Sequence, residues 1–199
     1  MIPGYESWKG GNMLYPLPAA LVTCRDPEGR ENVFTVAWTG TVCTNPPMVS
    51  ISVRPSRYSY GMIHESGEFV LHLTTQEMAR AVDYCGVCSG RDQDKFRQMD
   101  LKKVYGDLVK APILTRSPAA MECRVRQEIA LGSHHLFLAE VLAVHVKQEL
   151  LDSSGRLMLE KSGLMVYAHG EYFALGKALG KFGFSVRKKK RSKKGKDVK

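Results

Sequence analysis

The sequence predicts a mainly β protein, a β-barrel with a few short helices on its flanks. Three observations carry this. Apolar and polar residues alternate with a period of two in several separate runs. Turn signals rich in Asp, Asn, Pro and Gly separate those runs. Helical spacing is confined to short stretches.

Leu21–Thr23 opens the first strand, and RDPEGREN reads as a hairpin turn into a second run from Val33 to Trp38. In Met48–Val53 the residues Val49, Ile51 and Val53 share one face, with Ser50 and Ser52 on the other. Ser59 to Glu65 is expected to form a short helix that Gly67 stops. Phe69, Leu71 and Leu73 alternate with Val70 and His72. Thr74-x-x-Glu77 has the form of a capping box, followed by Met78, Val82 and Cys85 at helical spacing and Gly86 as the expected end. A third short helix is expected at Asp94-Lys95-Phe96. Met121, Cys123 and Val125 point one way and Glu122, Arg124 and Arg126 the other, the pattern of a half-buried antiparallel strand. Gly132-Ser133 marks a turn, Leu136 to Val146 returns as a strand, and a further strand is expected within Gly163 to His169.

With 199 residues, 44% hydrophobic and 25% charged, the chain is in the range of one globular domain. Its net charge of +9 is concentrated at one end. Residues 187–199 hold nine Lys or Arg and one Asp, a net +8, which leaves +1 for the first 186. The expected organisation is therefore one domain over 1–186 and a disordered basic tail over 187–199, read first as a solubilising extension and, as the functional alternative, as a weak, salt-sensitive binder of polyanions. The nearly neutral body argues against a nucleic-acid-binding module. No apolar run reaches the roughly 20 residues that span a bilayer. MIPGYESWKGG lacks the features of a signal peptide, so the expected compartment is the cytoplasm, with no membrane partner.

Five cysteines, an odd number, do not suggest a disulfide framework. Cys24 and Cys123 lie in apolar stretches and are expected to be core thiols. Cys85 and Cys88 form one C-x-x-C, weak as a zinc signal without a second pair or neighbouring His. A dithiol redox role stands beside the simpler reading that Cys85 packs at a helix end. No metal site is expected. Glycine-rich nucleotide loops, a G-x-S-x-G elbow and H-E-x-x-H are all absent.

The segment from Asn32 to Tyr60 offers more chemistry. Thr35-Val36-Ala37-Trp38-Thr39-Gly40-Thr41 reads as a strand end passing into a loop of small residues, with Trp38 as apolar area beside it. Thr44-Asn45-Pro46-Pro47 is a turn. Arg54-Pro55-Ser56-Arg57-Tyr58-Ser59 places two guanidinium groups and short hydroxyls where a helix begins, a way to bind phosphate without a glycine-rich loop. The bland alternative is a surface turn with solvated arginines.

These segments, together with Tyr15-Pro16-Leu17-Pro18, Cys85-Gly86-x-x-Ser89-Gly90, Asp94-Lys95-Phe96, Ala111-Pro112, Gly132-Ser133-His134 and Leu175-Gly176-x-x-Leu179-Gly180, are specific in this order along the chain. The sequence from Tyr15 to Lys188 resembles the flavin reductase-like, FMN-binding split-barrel family, most closely its flavoredoxin and ferric reductase branch. The resemblance implies an FMN site. Asn32 would be among its cofactor-binding residues, and Thr35, Ala37, Trp38, Thr39, Gly40 and Thr41 would border the ring. Arg54, Ser56, Arg57, Tyr58, Ser59, Ser89 and Lys95 would serve the phosphate side. His134 would be the catalytic-site residue beside flavin and nicotinamide, though Ser133 replaces the family's Asp in a G-D-H turn. His72 stands where many members carry Asn, and is expected to be structural. The resemblance also implies a homodimer with the flavin near its interface.

The functional expectation is an FMN flavoprotein acting as an NAD(P)H-dependent flavin reductase, or a flavin-mediated ferric reductase, with NADH or NADPH as donor. The alternative is a flavoredoxin-like electron carrier with tightly bound FMN and a protein partner. A family member that has lost FMN is disfavoured by the intact Arg54–Ser59 segment.

Overall fold

The computed structural model describes residues 2–186. The basic tail expected over 187–199 lies outside the described residues. Fifteen labelled elements position the site. In chain order they are β1 (Leu17–Pro18), β2 (Ala20–Arg25), β3 (Glu31–Val36), β4 (Thr39–Thr44), β5 (Pro47–Val53), α1 (Tyr58–Ser66), β6 (Glu68–His72), α2 (Ala79–Val87), α3 (Lys95–Gln98), β7 (Lys103–Val104), β8 (Ile113–Leu114), β9 (Ala119–Ala130), β10 (His135–Val146), β11 (Met165–Ala168) and β12 (Glu171–Ala174). Seven of the strands form one antiparallel sheet in the order β3-β2-β6-β9-β10-β5-β4. It is a curled sheet with two free edges, β3 and β4, rather than a closed ring. A small sheet β1-β11-β12 and a β7-β8 pair complete the β structure.

Alternation explains how the central strands bury both faces. In β2, Ala20, Val22 and Cys24 enter the cluster inside the curl, with Ile51, Phe69, Phe137 and Ala139. Leu21 points outward, to a second cluster with Met78, Val82, Cys85 and Leu114. In β6, Phe69 and Leu71 face in, whereas Val70 faces a small outer cluster with Val109 and Ala111. Each large buried side chain contributes about 1.5–3 kcal/mol relative to exposure. Helix α1 packs against the inner cluster through Met62 and Ile63 and ends at Gly67, whose φ of 67° suits glycine. Cys24 and Cys123 are buried, as their apolar surroundings predict, and all five cysteines are free thiols.

Several local expectations are corrected. The second strand stops at Val36, and Thr39 starts β4, so Thr39-Gly40-Thr41 is strand instead of loop. The reason is pairing: Thr39, Gly40 and Thr41 align with Ile51, Ser50 and Val49 of β5. The Thr74 hydroxyl does not cap a helix. It donates to the Ala19 carbonyl, a 3₁₀ turn covers Gln76–Met78, and α2 begins at Ala79. Gly86 lies within α2, which is capped at Cys88. Glu122 does not face water. Its carboxylate accepts from the N–H groups of Leu108 and Val109 at 3.0 and 2.8 Å and pairs with His145 at 2.7 Å, because the segment outside β9 covers that face. Burial opposes ionisation there, but these donors outweigh it and hold the Glu122 carboxyl below its usual range.

His72 is structural. Its Nδ1 meets the Leu21 carbonyl at 3.2 Å and its Nε2 accepts from the Leu114 N–H at 3.0 Å, a set that requires the neutral ring. Burial pushes its pKa down from 6.5 to about 4. Between those two values the unfolded chain binds the proton that the folded chain refuses, so stability falls as pH drops through that window. Urea unfolding is expected to show about 2 kcal/mol less stability at pH 5 than at pH 7 from this residue. His72→Asn should remove that slope. An unchanged slope in the variant would show that His72 is not its source.

Candidate functional site

A cleft of about 820 Å³ opens outside the barrel, at the side where β3 and the end of β5 part. That volume is within the common range for small-molecule sites. Its floor is β3, which contributes Asn32, Phe34 and Thr35. The Ala37–Trp38 turn, the segment from Ser52 to Ser59, the end of α2 with Ser89 to Arg91, and the β11–β12 hairpin form its walls.

Two groups of side chains dominate the lining. The first is basic. Arg57 occupies the N-cap of α1 with extended backbone, and no side chain caps the helix. Tyr60 N–H donates to the Arg57 carbonyl at 3.0 Å, which leaves the N–H groups of Tyr58 and Ser59 for an anion. Lys95 reaches the same region from the start of α3. It is buried, and its Nζ donates to the carbonyls of Cys85 and Cys88 at 3.3 Å each. Burial lowers its pKa. No carboxylate pairs with it among the described residues, so the ammonium is placed to receive an anionic guest. Arg91 lies over the Tyr58 ring, 5.9 Å from its centroid. Asn32 fixes the junction. Its Nδ2 donates to Ser59 Oγ at 2.7 Å, joining β3 to α1 inside the protein.

The second group is aromatic. Trp38 and His134 lie with ring centroids 4.5 Å apart, and Arg54 Nε approaches His134 Nε2 at 3.4 Å. Ser133 Oγ meets His134 Nδ1 at 2.9 Å, so the Ser in place of Asp still contacts the ring. Burial and then the Arg54 charge lower the His134 pKa, which favours the neutral imidazole at neutral pH. The next residue, His135, faces away. Its Nδ1 and the Tyr60 hydroxyl both meet Glu128 Oε1, at 2.5 and 2.7 Å, while His64 meets Oε2 at 2.7 Å. Partial burial works against this carboxylate, but Tyr60, His135 and His64 prevail and hold its pKa at about 2. This network ties the β9–β10 tip, and with it His134, to α1.

The cleft thus gathers Asn32, Thr35, Ala37, Trp38, Arg54, Ser56, Arg57, Tyr58, Ser59, Ser89, Lys95 and His134. Thr39, Gly40 and Thr41 are not on its lining, because β4 carries them along the barrel edge. Thr39 Oγ1 is buried there without a hydrogen-bond partner. The sequence did not point to Asp83, Arg91, Tyr167, Gly170 or Tyr172. Arg91 adjoins Ser89-Gly90 and could have been suspected. The two tyrosines arrive on a hairpin far along the chain and give no local signal. Among the described residues no His, Cys, Asp and Glu cluster could hold a metal ion, and no helix is long and apolar enough to cross a membrane.

Gly90 has no room for a side chain. An added Cβ would sit 2.3 Å from Asn32 Oδ1. Gly90→Ala is therefore expected to displace Asn32 and break its bond to Ser59, costing about 1–3 kcal/mol. Asn32→Ala should make the two changes less than additive in a double-mutant cycle of unfolding free energies. Strict additivity would refute the coupling.

Residues 12–176 match the model of the flavin reductase like domain. Flavoredoxin of Desulfovibrio vulgaris (Miyazaki F) superposes with a TM-score of 0.85 at 31% identity, covering 92% of this chain and 100% of that one. Flavoredoxin from Methanosarcina acetivorans gives 0.81 at 27% identity, with 92% and 100% covered. The FMN-binding protein from Thermus thermophilus, with bound 1-cyclohex-2-enone, gives 0.73 at 28% identity, with 85% and 96% covered. The chain therefore belongs to the flavin reductase-like family and has its split-barrel fold.

Proposed function

We propose that the chain binds FMN in the cleft and acts as an NAD(P)H-dependent flavin or flavin-mediated ferric reductase. The observation that carries this reading is the meeting of an uncapped helix N-terminus with Arg57 and buried, carboxylate-free Lys95, beside the Trp38–His134 pair. The first matches a phosphate and the second a flat ring. The family's membership, and the FMN-binding protein among its similar structures, support the choice of FMN.

In this reading Arg54, Ser56, Arg57, Ser59 and Lys95 hold the phosphate, with Arg91 closing that side. Trp38, His134 and the backbone from Thr35 to Ala37 border the ring. Thr39–Thr41 act from behind, by fixing the turn. FMN supplies the transfer of hydride or electrons when bound. The protein's own part is to bind, orient and shield. His134 is positioned to contact a nicotinamide from NADH or NADPH. Its low basicity keeps it an uncharged hydrogen-bonding group in that role.

The likeness to two flavoredoxins favours a second reading, an electron carrier that exchanges electrons with a protein partner. A homodimer is part of either proposal. Tyr5, Trp8 and Leu14 before the barrel, and Leu179, Phe182 and Phe184 after it, are exposed large apolar side chains that a second copy could cover. Five free thiols fit a cytoplasmic setting.

Purified protein is expected to show flavin absorbance, or to acquire it on adding FMN. Rapid bleaching by NADH or NADPH supports the reductase, and a flavin inert to both overturns it in favour of the carrier. Arg57→Ala should weaken FMN binding roughly 10- to 100-fold while leaving riboflavin affinity unchanged, because only the phosphate contact is lost. Equal losses for both ligands would contradict the phosphate assignment. Sedimentation should give twice the chain mass.

A further inference from the structure

The α2 wall of the cleft carries two thiols that flavin binding does not use. Cys85 sits in the last turn of α2, and Cys88 caps the helix, its N–H donating to the Tyr84 carbonyl at 2.9 Å. Both line the cleft. Helix geometry sets the Cα atoms of residues three apart at about 5 Å. That is within the span a disulfide bridges. Cys88 still closes the helical bond to Tyr84 and its φ of −80° is near-helical, so the two Cβ atoms start about 5–6 Å apart, beyond the roughly 3.5–4.5 Å of a disulfide. Closing the bond therefore requires the last turn to tighten, which the extended chain after Cys88, at ψ 144°, leaves it free to do.

The pair is also asymmetric. Cys85 is buried at 2% exposure, while Cys88 is partly open to the cleft. Lys95 Nζ binds the carbonyls of both residues and fixes the turn that joins them. The other three cysteines differ. Cys24 and Cys123 are sealed in the barrel core, and Cys43 is on β4, away from the cleft.

We propose that Cys85 and Cys88 form a redox-active dithiol that exchanges an electron pair with flavin bound in the same cleft. This rests on the flavin reading above. Cys88 is the accessible sulfur, and Cys85 the resolving one. Burial pushes the Cys85 thiol up to about 11 against the opposing charge of Lys95, so Cys85 is the poorer first attacker. In the oxidised pair the S–S bond breaks and two S–H bonds form. Two electrons and two protons are taken from reduced flavin, which is left oxidised. The reverse closes the S–S bond and reduces the flavin. A low-molecular-weight disulfide closes the bond without flavin. The Cys88 thiolate attacks one sulfur of glutathione disulfide and releases one glutathione. Cys85 then displaces the second, forming the internal disulfide.

The test has two arms. Flavin-free protein is equilibrated in glutathione redox buffers, alkylated, and cut after Arg80 and Arg91. The peptide 81–91 is expected to lose the mass of two hydrogens, while Cys24, Cys43 and Cys123 remain reduced. A peptide that stays reduced, or a glutathione adduct on Cys88 that never resolves, overturns the dithiol. Next, FMN-loaded protein with the disulfide closed is titrated anaerobically with dithionite. It should take about four electrons per flavin, against about two for Cys88→Ser, since the disulfide is a two-electron couple. A disulfide that forms but adds no electrons overturns the exchange. A protein that binds no flavin fails the flavin reading and the exchange together, while the glutathione arm still scores the disulfide by itself.

Discussion

The hydrogen bond from Asn32 Nδ2 to Ser59 Oγ, 2.7 Å long and buried, is the joint on which the cleft depends. Asn32 belongs to β3, Ser59 to the first turn of α1, and Gly90 packs directly on the Asn32 side chain from the loop after α2. Three elements therefore converge on one amide group. Apolar packing holds α1 through Met62 and Ile63 and α2 through Val82 and Cys85, but it is non-directional and does not by itself fix their relative positions. A polar contact with fixed length and direction sets them. The basic groups of Arg57, Arg91 and Lys95 inherit their places from it.

The barrel itself was legible in the sequence wherever a strand alternates. Val49, Ile51 and Val53 read correctly because one face of β5 meets the apolar interior. Alternation could not tell what covers the other face. In β9 it sent Glu122 to solvent, whereas the chain from Leu108 to Val109 returns over that strand and takes the carboxylate as a partner. A polar residue in the alternating position is the same letter in both cases. The Thr74-x-x-Glu77 pattern failed for a related reason. A hydroxyl able to cap a helix is equally able to reach a strand, and the Ala19 carbonyl was nearer.

The site was legible where its residues are contiguous. Arg54 to Ser59 needed only the start of a helix after a strand, and both are present. Its remaining parts are products of the fold. Tyr167 and Tyr172 come from a hairpin, and Lys95 is drawn inward by two helix-end carbonyls that no spacing rule predicts. The small residues after Trp38 look like a loop in isolation. Only the neighbouring β5 makes them a strand, and so removes them from the cleft surface.

The barrel interior is filled and the cleft lies outside it, which separates two kinds of substitution. Among the described residues, the fully buried cluster members that also line the cleft are Val36, Val53, Ala19 and Cys85, joined by the half-buried Phe34, Tyr58, Tyr167 and Tyr172 packed against the clusters. Most changes that repack the interior leave the guest's surroundings untouched, and most changes to the guest's surroundings leave the interior intact. A scaffold arranged in this way separates the residues that specify the fold from most of those that meet a guest, so the lining can change its chemistry while the interior keeps its packing.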